Sequence, residues 1–422
     1  MMKPLKYYLQ RSGCAYYSNA VFVTPYNKDI IIAPCCNSSP KNILNTKSLR
    51  SLKVKNTTNS IIQNWLNFTS ENANKINYSK LKDSACKQCK RDEEYWVNDD
   101  EASLRLRAKQ RFTPTKPGQL NALDISFSNL CNFSCRYCGP VSSSEWNKEI
   151  IKAKKKNIFL FELSDEKKLK NASNNVPISE TTKREIEVLK NIKNTDISQL
   201  QYVLLKGGEP FMVRVLDKFL DDLSKRSNLK NITMSINTNG SVFPKQNILN
   251  HFKQLKKLEL RISNESIGKL AEYIRNGLDW KKYETIVKKW KTFAKENKNV
   301  EVVMHSTLNA WNINQIDQFD KWVTKNKLRV ISTMVIGNHL DPRRILTKTQ
   351  LAIVNKKVSK LKNKDLKISC QTYTNPEKQN LLTNIPDQIK FRKITEGLDK
   401  LRNQSLKNVN LELYNWLYPS NS

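Results

Sequence analysis

Nowhere does the chain carry the roughly 18 to 20 consecutive apolar residues that a membrane-spanning helix needs. Its longest apolar run, Ile30–Ala33 with Cys35 and Cys36 just beyond, is strand-sized. The opening MMKPLKYYLQRSGC also lacks the apolar core of a secretory signal. Membrane insertion is therefore not expected, and the expected compartment is the cytoplasm. Thiols stay reduced there, so nine cysteines point to metal ligands or free thiols rather than disulfides. Histidine is scarce and dispersed: His251 falls on a helix face, His305 in a strand, where it is either a core residue or part of a barrel mouth, and His339 stands alone. No repeat of fixed period and no Pro-rich or Gly/Ser-rich linker interrupts the chain.

Acidic residues are also in short supply, 39 against 73 Lys and Arg, for a formal charge of +34. Such a surplus would steer any anionic partner, nucleic acid included. An A/T-rich genome, with its abundant Lys, Asn and Ile codons, would produce the same surplus as solvated helix faces such as Lys152–Lys156. An apolar fraction of 38% with 27% charged residues describes a polar globular protein rather than a disordered one.

At 422 residues the chain exceeds one average domain. Residues 1–112 hold five scattered cysteines; 113–345 alternate short apolar runs with amphipathic helices; 346–422 read as helices, with Cys370 as a lone thiol. Six strands are predicted in the middle zone, at 122–127, 201–206, 231–237, 257–263, 300–307 and 329–336. Between them, Leu216, Phe219, Leu220 and Leu223 form one helical stripe; Ile248, Leu249, Phe252 and Leu255, then Tyr283, Ile286, Val287, Trp290 and Phe293, then Ile313, Ile316, Phe319 and Val323, form others. Strands alternating with such helices predict an α/β fold with a parallel sheet. Six units are too few to close an eight-stranded barrel, so a partial (β/α)6 TIM barrel is expected, with its chemistry at the carboxyl ends of the strands.

Directly after the first of these strands comes NLCNFSCRYCGP, with Cys131, Cys135 and Cys138 at the spacing CxxxCxxC. Structural zinc wants four protein ligands, commonly from two CxxC hooks, and this loop offers three. On a four-iron cluster, three thiolates leave one iron open to a cofactor. After the second strand comes KGGEP: Gly207 and Gly208 allow close backbone approach, Glu209 can accept from an ammonium, and Pro210 closes the turn. SINTNG, from Ser235 to Gly240, ends the third strand. RISNES, with Ser263 and Glu265, ends the fourth, and Arg275 follows in EYIRNGLDW.

CNFSCRYC, with Tyr137 in the aromatic place, together with GGEP and TNG, resembles the signature of radical SAM enzymes. The resemblance implies a 4Fe-4S cluster on the three cysteines. Its open iron would bind S-adenosylmethionine, whose reductive cleavage yields a 5'-deoxyadenosyl radical that abstracts hydrogen from a substrate. It further implies that Gly207, Gly208, Glu209 and Pro210 receive the methionyl amino group, that Ser235 and Asn237 line the cofactor, and that Ser263 and Arg275 hold its ribose and carboxylate. The usual Ser-x-Asp is here Ser263, Asn264, Glu265, a conservative swap or the mark of a different pocket.

The segment from VFVTPYNKDIIIAPCC to CKQCKRDEE resembles the twitch or SPASM accessory domain of the same enzymes, placed before the barrel instead of after it. It implies an auxiliary site, a second iron-sulfur cluster or zinc, built from Cys86, Cys89 and one of Cys35 or Cys36, with Cys14 available. Val23 stands where related sequences carry a cysteine, which leaves the ligand count open between this site and packed free thiols. The resemblance implies a peptide or protein substrate and an external electron donor of flavodoxin or ferredoxin type. The charge suggests tRNA or another nucleic acid instead. A zinc-bearing nucleic-acid-binding protein without catalysis is the non-enzymatic alternative.

Overall fold

A computed structural model describes residues 19–26, 29–33, 44–45, 60–72, 110–160, 178–335, 338–374 and 384–419. Among the described residues the strands are β1 (Ala20–Tyr26), β2 (Asp29–Ala33), β3 (Leu44–Asn45), β4 (Ala122–Ser126), β5 (Ser134–Cys135), β6 (Tyr202–Lys206), β7 (Thr233–Thr238), β8 (Lys257–Ser263), β9 (Arg275–Asn276), β10 (Val300–Leu308) and β11 (Arg329–Met334). All six strands expected from sequence are present within two residues at each end. The one at 231–237 starts later because Leu229–Asn231 forms a 3-10 turn, capped by the Asn228 side chain accepting from Lys230 N.

The chain forms two compact units. The first comprises Met1–Ser128, Val176–Ile236 and Pro244–Glu259. Its strands lie in the order β3-β2-β1-β4-β6-β7. β1, β4, β6 and β7 are mutually parallel in sequence of pairing, while β2 folds back antiparallel on β1. In β6, Tyr202–Leu205 are all buried, as befits a strand covered on both faces. The helix Leu216–Arg226 buries Leu216, Phe219, Leu220 and Leu223, and Gln246–Gln254 buries Ile248, Leu249 and Phe252. These are the stripes that the helical period predicts. β1 is a seventh parallel strand. It comes from the amino-terminal segment and pairs Ala20–Val23 with Ala122–Ile125.

The second unit comprises Asn129–Asn175, Asn237–Phe243 and Leu260–Ser422. Leu260 and Ile262 of β8, two positions apart, are fully buried, the period of a strand with one covered face. β10 and β11 pair in parallel from Val303–Arg329 to Leu308–Met334. Tyr283, Val287, Trp290 and Phe293 pack from the helix Trp280–Glu296, and Ile316, Phe319 and Val323 from Ile316–Lys325. The carboxyl-terminal stretch is helical as expected: Pro342–Ile345, Lys348–Ser359 with a capping box from Thr347 and Gln350, Lys364–Thr374, Ile385–Arg402, Leu406–Val409 and Leu411–Leu417. The parallel pairs and strand–helix alternation make this an α/β fold of the partial TIM-barrel type. Among the described residues no helix is long and apolar enough to cross a membrane.

Candidate active site

The cysteine loop begins at Asn129 in the second unit. Ser134–Cys135 forms a short antiparallel bridge with Arg275–Asn276, which places Cys135 opposite Arg275. Cys131 and Cys135 are buried and Cys138 is half-buried. Donors converge on the sulfurs: Phe133 N lies 3.4 Å and Asn239 Nδ2 3.6 Å from Cys131 Sγ, and Arg275 Nη1 lies 3.9 Å from Cys135 Sγ. Burial pushes the Cys135 thiol well above its ordinary value. The Arg275 charge opposes that shift, and Cys138, Cys131 and Glu265 add to it. The Cys138 thiol is likewise raised by burial.

Beside the cysteines sits a buried ion pair. Glu265 Oε2 accepts from Arg275 Nη2 at 2.7 Å, from Arg275 Nε at 3.2 Å and from the Tyr137 hydroxyl at 3.2 Å. Burial pushes Glu265 upward and Arg275 restrains it. Among the described residues, Glu265 Oε1 and Asn237 Oδ1 are buried acceptors with no donor. Buried polar atoms are rarely left so, and here they are what a bound polar ligand would satisfy. Ser263 is half-buried at the end of β8.

The GGEP turn belongs to the first unit. Gly207 has φ +121°, and a Cβ there would stand 2.4 Å from Ser126 Oγ and 2.7 Å from Ser128 O. Only glycine fits, on conformation and on space. Gly208 N donates to Ser128 O at 3.1 Å. Glu209 is fully buried, and its Oε1 accepts from Phe211 N at 3.1 Å, capping the 3-10 turn Pro210–Met212. Ser235, also buried, is 3.1 Å from the Tyr202 hydroxyl and 3.5 Å from Glu259 Oε1.

Cys14, Cys35, Cys36, Cys86 and Cys89 lie outside the described residues, so the auxiliary site does too. His251 pairs with Asp221 at 2.9 Å on a helix face. His305 is half-buried in β10, its carbonyl accepting from Asn264 N. Cys370 is fully buried, and burial pushes its thiol upward. Among the described residues no three His, Cys, Asp or Glu side chains converge as a single metal ion would require. A four-iron cluster would be held by Cys131, Cys135 and Cys138.

Three supports of the loop were not singled out from sequence. Asn239 reaches Cys131 from the TNG segment, just past β7, where the strand's alternation no longer assigns a facing. Trp146 Nε1 donates to Cys135 O at 2.9 Å, and Arg136, between two cysteines, is buried on partners more than 130 residues away. The motif points to Asn239. Nothing local points to the other two.

Residues 125–322 match the family model described as the Radical SAM superfamily. GTP 3',8-cyclase of Clostridium botulinum strain Hall is 25% identical over 226 residues, 52% of this chain and 58% of the relative. That of strain Okra is 23% identical over 223 residues, with the same coverage. The chain thus spans little more than half the length of the curated relatives it matches. Among solved structures, anSMEcpe with bound AdoMet and Cp18Cys peptide overlaps at TM-score 0.34 and 14% identity, covering 57% of this chain and 58% of that one. Streptococcus suis SuiB bound to precursor peptide SuiA overlaps at 0.33 and 15%, covering 56% and 45%.

Proposed function

We propose that this chain, which carries a radical SAM domain over residues 125–322, holds a 4Fe-4S cluster on Cys131, Cys135 and Cys138 and binds S-adenosylmethionine beside it. The observation that carries this is the chemistry of the cysteine loop. Cys131 Sγ receives two N–H donors and Cys135 Sγ the buried Arg275 guanidinium, and such donors stabilise thiolates on iron and tune their potential. When bound, the two groups supply reductive cleavage of S-adenosylmethionine to methionine and a 5'-deoxyadenosyl radical, which takes a hydrogen atom from substrate.

The chain's own residues bind, orient and exclude water. Glu265, held by Arg275 and Tyr137, keeps Oε1 for a ribose hydroxyl, and Asn237 Oδ1 is a second acceptor. Ser263 adds a hydroxyl to the ribose. Arg275, spanning Glu265 and Cys135, carries the positive charge for the methionyl carboxylate. Gly207, Gly208 and Pro210 shape the backbone for the amino group, which Glu209 receives, and Ser235 lines the cofactor.

The substrate we favour is a peptide or protein, on the likeness of residues 1–112 to twitch or SPASM domains. Within that segment Cys86, Cys89 and one of Cys35 or Cys36, with Cys14 available, are the proposed ligands of a second cluster or zinc. Residues 113–345 would be the catalytic barrel and 346–422 its helical extension. An anionic nucleotide or nucleic acid is the second reading, favoured by the +34 charge and by the GTP-acting relatives. A one-electron donor of flavodoxin or ferredoxin type would serve the cluster in the cytoplasm.

Anaerobic reconstitution tests the core of this. Full-length protein should take up iron and sulfide, show a broad absorbance that bleaches with dithionite, and release 5'-deoxyadenosine and methionine from S-adenosylmethionine. Cys135→Ala should lose that absorbance, because it removes one of three ligands. Stoichiometric zinc with no capacity for iron would overturn the reading.

A further inference from the structure

Residues 346–422 carry none of the motifs above, yet within the second unit their longest helix reaches the cysteine loop at several consecutive positions. Arg402, in the last turn of Ile385–Arg402, is buried, with a side-chain exposure of 3%. Its Nε and Nη2 grip both oxygens of Glu149 at 2.9 and 2.6 Å, and Nη2 also donates to Ser134 O at 2.7 Å. The next carbonyl, Cys135 O, is taken by Trp146 Nε1, over whose ring the Arg402 guanidinium lies at 5.3 Å. Next along the loop, Arg136 Nη2 donates to Asp399 Oδ1 at 2.6 Å and to Gln404 Oε1 at 2.8 Å, while its Nε holds Tyr273 O at 2.9 Å. Cys138 packs against a core that joins Trp146, Ile150, Ala153 and Leu160 to Ile394, Leu398 and Leu401 of the helix. The approach is close enough that a Cβ on Gly397 would stand 2.1 Å from Phe159 O.

Positions 134, 135, 136 and 138 are therefore fixed, directly or through Trp146, by one helix some 260 residues later. In these pairs the guanidinium is buried and the carboxylate partly exposed, so desolvation offsets much of the attraction, and their forked bonds fix a geometry. We infer that the helix Ile385–Arg402 is the strut of the cysteine loop, with Arg402 and Asp399 as positioning residues that keep Cys135 and Cys138 in place for iron. The inference rests on the cluster assignment above and adds a role for the carboxyl-terminal helices.

The test compares full-length, anaerobically reconstituted Arg402→Ala and Arg402→Lys with Arg344→Ala. The last breaks an ion pair to Asp387 at the other end of the same helix, away from the loop. Partners of metal ligands typically change metal affinity by about 10- to 100-fold. Arg402→Ala should accordingly lose iron to a chelator about 10- to 100-fold faster than the unmodified protein, and the reduced-cluster electron paramagnetic resonance spectrum should change. Arg402→Lys, which keeps the charge but not the fork, should fall between them. Arg344→Ala should lower Tm while leaving iron retention and the spectrum unchanged. Iron loss from Arg344→Ala as fast as from Arg402→Ala would reduce the strut to general stability, and unmodified retention in Arg402→Ala would refute it.

If Arg402→Ala does not fold, Gln404→Ala removes one neutral acceptor of Arg136 and should still speed iron loss; no change would count against the strut. Hydrogen exchange on metal-free protein separates the two readings. The amides of Arg136 and Cys138, bonded to Ile274 O and Cys135 O, should exchange faster in Arg402→Ala. That comparison decides the strut even if the unmodified chain takes up no iron, an outcome that would sink only the cluster assignment.

Discussion

The cysteine loop and the GGEP turn are built in opposite ways. The turn is made by residues near in sequence or on the next strand: Gly207 against Ser126 and Ser128, Glu209 on Phe211 N. The loop is braced by charges from far along the chain: Arg136 on Asp399, Arg402 on Glu149, and Arg275 on Glu265, each guanidinium almost fully buried. A turn of the first kind fails by backbone strain. A loop of the second kind fails by stranding a charge, and the two failures differ in size and in what they disturb.

The largest difference should come from Arg136→Ala. The guanidinium also lies 3.5 Å above the Tyr273 ring, so its removal leaves Asp399 with the Leu406 N–H but no cation and opens a packed site together. Breaking a buried ion pair typically costs about 3–5 kcal/mol. Denaturant unfolding should show a loss of that order, with iron content falling as well; a loss below about 1 kcal/mol would mean the brace is dispensable. Gly207→Ala should cost less. Adopting a positive φ is worth about 1–3 kcal/mol, and the Cβ would collide with Ser126 and Ser128. Its signature should be a lower Tm and impaired cofactor binding with iron content preserved.

Glu209→Ala removes the cap of Pro210–Met212 as well, and its diagnostic effect is smaller again and read in binding. Losing a charge-assisted hydrogen bond costs about 1.5–3 kcal/mol, so S-adenosylmethionine affinity should fall roughly ten- to a hundredfold, at unchanged iron. Near-normal affinity by equilibrium dialysis would withdraw Glu209 from the cofactor and leave it as the cap of Pro210–Met212.

The same contrast explains what could be read from sequence. Cys131, Cys135 and Cys138, the glycines of the turn and the alternating strands announce themselves through spacing, because each reflects physics acting over a few residues. Arg136 looks like any charge inside a motif, and Arg402 like a basic residue in a last helical turn. Their burial depends on partners 263 and 253 positions away, which no local pattern encodes. β1 is hidden for a related reason: Ala20–Tyr26 contains Pro25 and precedes no strong helical stripe, so its parallel pairing with Ala122–Ile125 emerges only from the fold. Glu265 departs from Ser-x-Asp, and its bond to Arg275 shows the longer side chain reaching a cation that also faces Cys135.

The smallest expected effect concerns a carboxylate held without a buried guanidinium. Glu185 is buried, and its oxygens accept from Ser128 Oγ at 2.8 Å and from Arg214 N at 3.0 Å. Burial pushes its carboxyl above the ordinary value, and those two bonds together with the Arg214 charge draw it only partly back. A raised value means that the folded protein prefers the protonated form. The stabilisation from Glu185 is then complete below the unfolded value near 4.5 and is lost as pH rises through the raised one. Glu185→Gln keeps the shape and cannot ionise. It adds a constant offset for the acceptor that becomes an amide, but it has no loss with pH. The Tm of the variant minus that of the unmodified protein should therefore climb as pH rises from about 4.5 and level off once Glu185 is ionised. A difference that stays flat from pH 4 to 8 would mean that the two bonds and the Arg214 charge offset burial in full, and the contrast between the two regions would narrow to backbone conformation alone.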